Sequence, residues 1–225
     1  MNDERTVLCY GDSNTWGYEP GTSARYGRTV RWPGVLAAEL GAAWHVVEAG
    51  LNGRTTVFED PMGDKNGLRH LGPILESAAP VDVAVVILGT NDLKTRFRAS
   101  AYEIAEGAGR LVDVVRASSF GRGGVAPLVL LVAPPPLATL EGWAARDPDA
   151  FEKFEENLRD GLETSGAFAR QYARVAHVRG VAFLDAGAHV ATSPVDGVHW
   201  AAEGHAAFGR AVAAMVRDLC RAGGG

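Results

Sequence analysis

Three side chains from opposite ends of the chain carry the clearest chemistry. They are Ser13, in the run Gly11-Asp12-Ser13-Asn14, and the pair Asp196 and His199, in Asp196-Gly197-Val198-His199. A serine hydroxyl is a weak nucleophile until an adjacent base removes its proton. His199 suits that task, because imidazole changes charge near neutral pH. Asp196 can accept the other ring N–H, fixing the tautomer and steadying the imidazolium that forms. Each half alone has a plainer reading, the serine as a turn or helix cap and the D-x-x-H segment as a turn followed by a cap. Their combination outlines nucleophilic chemistry.

Such residues must be brought together by the elements between them. Short apolar runs alternate with longer stretches of helical period, the pattern of an open α/β sheet with buried parallel strands. Strands are expected at Thr6–Tyr10, Trp44–Glu48, Val81–Leu88, Leu128–Ala133 and Val181–Asp185. Helices are expected at Pro33–Leu40, Gly67–Ala78, Ser100–Ser119, Asp149 to about Arg179, and Ala201–Arg221. Pro33 fits a first helical turn, where its missing N–H has no partner to lose. Phe151, Phe154, Leu158 and Leu162 recur at helical spacing and read as core. Long connections at Asn14–Trp32, Gly53–Asn66 and Pro134–Pro148 follow the first, second and fourth strands. In a parallel sheet these carboxyl-end connections surround the ligand crevice, which gathers Ser13, Gly53 and Asn91 around one opening.

Bulk composition narrows the field. The 225 residues fit one domain, are 47% hydrophobic and carry a net charge of −5, so a packed core is expected and nucleic acid is not an expected partner. No stretch approaches membrane-spanning length, and the charged start Met1–Arg5 shows no apolar signal core, so the expected location is the cytoplasm. Cys9 and Cys220 read as reduced packing residues, with a bridge between them left open. His45, His70, His177, His189 and His205 read as surface or packing residues. No His/Asp/Glu set has metal-ligand spacing, and neither a G-x-G-x-x-G frame nor a P-loop lysine is present, so no metal or cofactor is expected.

Four segments that end or follow strands carry small or polar residues: Gly11–Asn14, Gly50-Leu51-Asn52-Gly53-Arg54, Gly89-Thr90-Asn91-Asp92 and Asp196–His199. In this order they resemble the SGNH hydrolase superfamily, the GDSL-type esterases, over almost the whole chain. The family's serine, glycine, asparagine and histidine match Ser13, Gly53 (Gly50 less securely), Asn91 and His199. Asn14 stands where the GDSL motif has leucine. Asp60-Pro61, Thr55-Thr56, Pro134-Pro135-Pro136-Leu137, Thr15-Trp16-Gly17 and Phe183-Leu184-Asp185-Ala186-Gly187 are similar to the arylesterase and acyltransferase (perhydrolase) branch.

The resemblance implies a flavodoxin-like three-layer α/β/α sandwich around a five-stranded parallel sheet. It implies an esterase acting on small acyl esters through an acyl-enzyme, with Ser13 as nucleophile, His199 as base and Asp196 behind it. Attack creates an oxyanion that needs fixed donors, for which the backbone N–H groups of Ser13 and Gly53 and the Asn91 amide are the candidates. Trp16, Asp12 and Leu51 are candidate substrate contacts, and Trp143, Phe151 and Trp200 could line the pocket or the core. Asp12 and Asp92 more readily orient loops by accepting backbone N–H bonds. The branch further implies a restricted hydrophobic pocket, alcohol, sugar or peroxide competing with water as acyl acceptor, and a homo-oligomer. Two rivals stay open: a carbohydrate O-acetyl esterase using the same site, and a non-catalytic carbohydrate- or ester-binding module on the same fold.

Overall fold

The computed structural model describes residues 4–138 and 148–222. Five strands, β1 (Arg5–Gly11), β2 (Trp44–Gly50), β3 (Val83–Ile87), β4 (Leu128–Ala133) and β5 (Ala182–Asp185), form one parallel sheet in the order β2-β1-β3-β4-β5. Parallel strands need crossovers, and here the helices supply them on both faces. Successive strand residues point to opposite faces, so a strand covered on both sides must be apolar throughout. In β1, Leu8 and Tyr10 join one core, whereas Val7 and Cys9 join the other. The first core packs against α3 (Gly67–Ser77), α4 (Ala101–Arg116) and α7 (Phe168–Arg179). The second packs against α2 (Trp32–Leu40) and α8 (Ala202–Ala222), where Trp32 meets Phe208 edge to face at 5.2 Å. Each fully buried aliphatic side chain in these layers contributes on the order of 1.5–3 kcal/mol.

Local signals agree with the element starts. Pro33 lies in the first turn of α2. Ser100 and Glu103 form a reciprocal capping box that opens α4, with the Ser100 hydroxyl accepting the Glu103 N–H and the Glu103 carboxylate accepting the Ser100 N–H. The expected helix from Asp149 to about Arg179 is instead three: α5 (Pro148–Leu158), α6 (Gly161–Gly166) and α7. Gly161 and Gly166, poor helix formers, bracket the short middle piece. The break has a packing reason: a Cβ at Gly161 would lie 2.9 Å from Leu137, so the chain there presses against the connection after β4. The Ser165 hydroxyl, which donates back to Leu162 O at 3.0 Å, also accepts the Leu137 N–H at 3.0 Å. The remaining element, the four-residue helix α1 (Ser13–Trp16), escaped the periodicity argument because one turn has no period.

The order of strands matters for function. Chain direction across the sheet reverses between β1 and β3, and β1 lies between β2 and β3. The loops leaving β1, β2 and β3 therefore meet at their carboxyl ends, at the point where such sheets open a ligand crevice.

Candidate active site

The turn that presents Ser13 is built by its neighbours. Asp12 caps α1, its carboxylate accepting the Asn14 N–H at 3.0 Å. Ser13 is the first helical residue, so its own N–H has no partner within the helix. Its side chain is nearly buried but reaches His199, with Oγ 2.9 Å from Nε2. The opposite ring nitrogen, Nδ1, lies 2.7 Å from Asp196 Oδ2. The other Asp196 oxygen accepts the Val198 and His199 backbone N–H groups at 3.0 and 2.9 Å, so the carboxylate shapes the loop that carries its own partner. Burial alone would raise the Asp196 pKa, but the His199 ring and these two N–H groups outweigh it and hold the carboxyl below its usual range. Hydroxyl, imidazole and carboxylate thus form one hydrogen-bonded chain, although 183 residues of sequence separate Ser13 from Asp196.

The other two segments arrive on the flanking loops. The Leu51 N–H donates to Gly11 O at 3.1 Å, continuing the β1–β2 pairing into the loop, and Gly53 follows in the turn closed by Arg54 N–H to Leu51 O at 3.1 Å. Gly53 takes φ +81°, which favours glycine, yet a Cβ there would meet nothing closer than Lys65 at 3.6 Å. Gly50 is glycine for a different reason: a Cβ would lie 2.2 Å from the Trp16 nitrogen, so β2 and α1 can approach only without a side chain. Of the two glycines that the sequence leaves ambiguous, Gly50 is thus a close packing contact, and Gly53 is a loop residue at positive φ with open space beside it. Asn91 lies in a short 3-10 turn, Thr90–Leu93, directly after β3. Among the described residues, nothing accepts a hydrogen bond from the N–H groups of Ser13 or Gly53 or from the Asn91 side-chain amide.

Asp92 ties those loops together. Its carboxylate is fully buried and accepts the Thr56 N–H at 2.9 and 3.1 Å and the Thr56 hydroxyl. The loop bearing Asn91 is thereby braced against the loop bearing Gly53. Burial pushes the Asp92 pKa up to about 7, opposed by the Thr56 bonds and reinforced by the negative charge of Asp12. Burial likewise lifts Asp12 to about 6, against the pull of the Asn14 N–H, His199 and Arg54. Arg54 is itself buried beneath the Ser13 turn, donating to Gly11 O at 2.8 Å and to Ala49 O, with its guanidinium 4.2 Å from the centre of the Tyr10 ring. A buried cation so placed cross-ties the ends of β1 and β2 and adds positive potential behind Ser13 and Gly53.

Tyr18 completes the wall. Its ring stacks on the His199 imidazole with centroids 4.1 Å apart and planes 26° from parallel. The long connection holding Tyr18 is anchored by Glu48, which meets Arg25, Arg28 and Arg31. Trp16 is half-buried under the Arg25 guanidinium, 5.0 Å from its ring centre. Leu51 is half-buried directly after β2, and the Asp12 carboxylate is buried and accepts the Asn14 N–H. Trp200 is fully buried against His205 and Phe208 and is a core residue, and Phe151 is half-buried and packs on the first core. Trp143 lies outside the described residues. Both cysteines are free. Of the histidines set aside as packing or surface residues, His205 is buried, its Nδ1 accepting the Trp32 N–H at 3.3 Å, and burial lowers its pKa to about 4. Tyr18 carried no signal in the sequence, and Arg54 and Thr56 stood out only as letters of a motif, because their roles lie in contacts that the fold creates.

An open parallel α/β sheet with a hydroxyl, an imidazole and a carboxylate linked at its carboxyl ends has the architecture of a serine hydrolase. The chain belongs to the GDSL-like lipase/acylhydrolase family, whose model matches residues 9–207. It is similar to a carbohydrate acetylesterase from Sinorhizobium meliloti, at 40% identity and a TM-score of 0.87 over 96% of this chain and 100% of the other. It is similar to an aryl esterase of M. smegmatis, at 38% identity and a TM-score of 0.86 over 96% and 99%. A putative arylesterase from Agrobacterium tumefaciens matches at 38% identity and a TM-score of 0.84, again over 96% and 99%. No curated protein matches the sequence. With this family membership and these relatives, the chain is a carboxylic ester hydrolase, an acyl esterase. Among the described residues, no helix is long and apolar enough to cross a membrane.

Proposed function

We propose that the chain hydrolyses small, acetyl-type esters through a covalent acyl-Ser13 intermediate. The observation that carries this reading is the continuous hydrogen-bonded chain from Ser13 Oγ through His199 to Asp196. His199 Nε2 takes the hydroxyl proton as Oγ attacks the ester carbonyl carbon, and the imidazolium that forms is steadied by Asp196 at Nδ1. The carbonyl oxygen gains negative charge and is met by the Ser13 and Gly53 N–H groups and the Asn91 amide, donors left unpaired by the fold. Collapse expels the alcohol with the proton from Nε2, and water then repeats the sequence to release the acid. A stacked aromatic ring favours a cation, so Tyr18 lowers the energy of the imidazolium in both halves.

A short acyl group suits a nucleophile that is only 6% exposed. A sugar hydroxyl as the leaving group is the second reading, favoured by the likeness to the S. meliloti carbohydrate acetylesterase. Aliphatic alcohols are the proposed alternative acyl acceptors. A p-nitrophenyl ester series from acetate to octanoate, with and without added alcohol and beside an acetylated sugar, tests these points together. The proposal expects acetate to be turned over fastest, and a rate that rises steadily with chain length overturns it. Faster release of acetate from the sugar than from the aryl ester selects the second reading.

A further inference from the structure

We infer that Asn14, standing where the GDSL motif has leucine, is a positioning residue for His199; the inference rests on the proposed role of His199 as base. The Asn14 side chain is almost fully buried and spends both ends of its amide on the backbone either side of His199. Nδ2 donates to Val198 O at 3.3 Å, and Oδ1 accepts the Trp200 N–H at 3.1 Å. These are the two groups that a neighbouring parallel strand would take from a residue in a ladder. One side-chain amide therefore stands in for a peptide unit and docks the His199 segment onto the nucleophile turn. Leucine in that place has neither donor nor acceptor.

The two sides of this joint are otherwise independently held. On the Ser13 side, Asp12 fixes the Asn14 backbone through its N–H. On the His199 side, Asp196 organises the local turn and the Ser193 N–H donates to His199 O at 2.7 Å. Asp196 sets how the imidazole is oriented within its own loop. Among the described residues, the side-chain hydrogen bonds that cross from the nucleophile turn to that loop are those of Asn14 and the 2.9 Å Ser13–His199 bond itself. Without Asn14, the hydrogen bond of the reacting pair and the Tyr18 stack on the imidazole would be left to register the loop, and one hydrogen bond beside a ring contact is a soft constraint. Asn14 makes the Oγ–Nε2 separation a property of the fold rather than of the reacting bond.

The test compares Asn14→Leu and Asn14→Asp with wild type and with Ser13→Ala. Leucine removes both ends of the joint; aspartate is isosteric and keeps the acceptor for Trp200 but faces Val198 O with a second acceptor. Each protein is assayed for kcat and KM on p-nitrophenyl acetate, for thermal melting, and for the downfield proton resonance of the His199–Asp196 bond. A displacement near 1 Å costs up to about a hundredfold, so kcat is expected to fall roughly ten- to a hundredfold in both variants, with KM changed by less than about twofold. The downfield resonance should shift or broaden while cooperative melting is retained. If leucine prevents folding, the isosteric aspartate variant supplies the same comparison. Variants with kcat within about threefold of wild type, beside an inactive Ser13→Ala, overturn the positioning role and leave the esterase reading intact. Activity lost only in proportion to the unfolded fraction overturns it as well. An active Ser13→Ala instead removes the reading on which the inference rests.

Discussion

Replacing Asp92 with asparagine should make the protein more stable at alkaline pH while leaving it little changed in acid. Asp92 is fully buried, and its pKa in the folded protein is raised to about 7 from an ordinary carboxylate value. The folded state therefore holds a proton between roughly pH 4 and 7 that the unfolded chain has released, so this group's effect on stability becomes less favourable as pH rises through that window. Integrated from pH 5 to pH 8, the group removes about 2–3 kcal/mol from the wild type. Asparagine cannot ionise, and its amide oxygen can still accept both the Thr56 N–H and the Thr56 hydroxyl, which share one Asp92 oxygen. It also removes the charge that reinforces the raised pKa of Asp12, which slopes in the same direction. His205, lowered to about 4, slopes the opposite way, since the unfolded chain takes up its proton first as pH falls. That contribution is common to both proteins and cancels in their difference. Urea unfolding of wild type and Asp92→Asn at pH 5 and pH 8 gives this difference directly. A stability gap that stays constant to within about 0.5 kcal/mol across the range refutes the reasoning.

Three further outcomes follow from the site. Gly50→Ala forces a Cβ to within 2.2 Å of the Trp16 nitrogen and so must move α1; esterase activity should fall at least about a hundredfold. Gly53→Ala has room for its methyl group and meets only the strain of a positive φ, so melting should indicate a cost of about 1–2 kcal/mol while activity remains readily measurable. Tyr18→Phe should keep most of kcat/KM for p-nitrophenyl acetate, whereas Tyr18→Leu, which lacks the stacked ring, should lose roughly three- to thirtyfold.

The sequence disclosed most where one residue type had one use. Strands β1, β3 and β4 are buried on both faces, so their unbroken apolar runs stand out. The five parallel strands were legible at that level, as the sheet bears out; the acyl-ester chemistry came instead with the resemblance to the GDSL-type esterases, and the family match agrees with it. The three-way split of the Asp149–Arg179 stretch was not, because Gly161 breaks the helix for a contact with Leu137, which is 24 residues away in sequence. Trp200 could be core or pocket by pattern alone, and its packing on Phe208 decides for core. Asn14 and Asp92 were visible as motif letters but not as joints, because each acts on backbone groups that only the fold brings within reach. Trp143 and the rest of residues 139–147 lie outside the described structure.

Ser13 is the centre of the proposed mechanism. Treating the wild-type enzyme with a serine-directed organophosphonate and mapping the adduct by mass spectrometry should place one label on the peptide carrying Ser13, in step with loss of esterase activity. Ser13→Ala should melt like the wild type, take no label, and hydrolyse p-nitrophenyl acetate slower by several powers of ten. A label on another residue, or near-full activity in the folded Ser13→Ala protein, contradicts it.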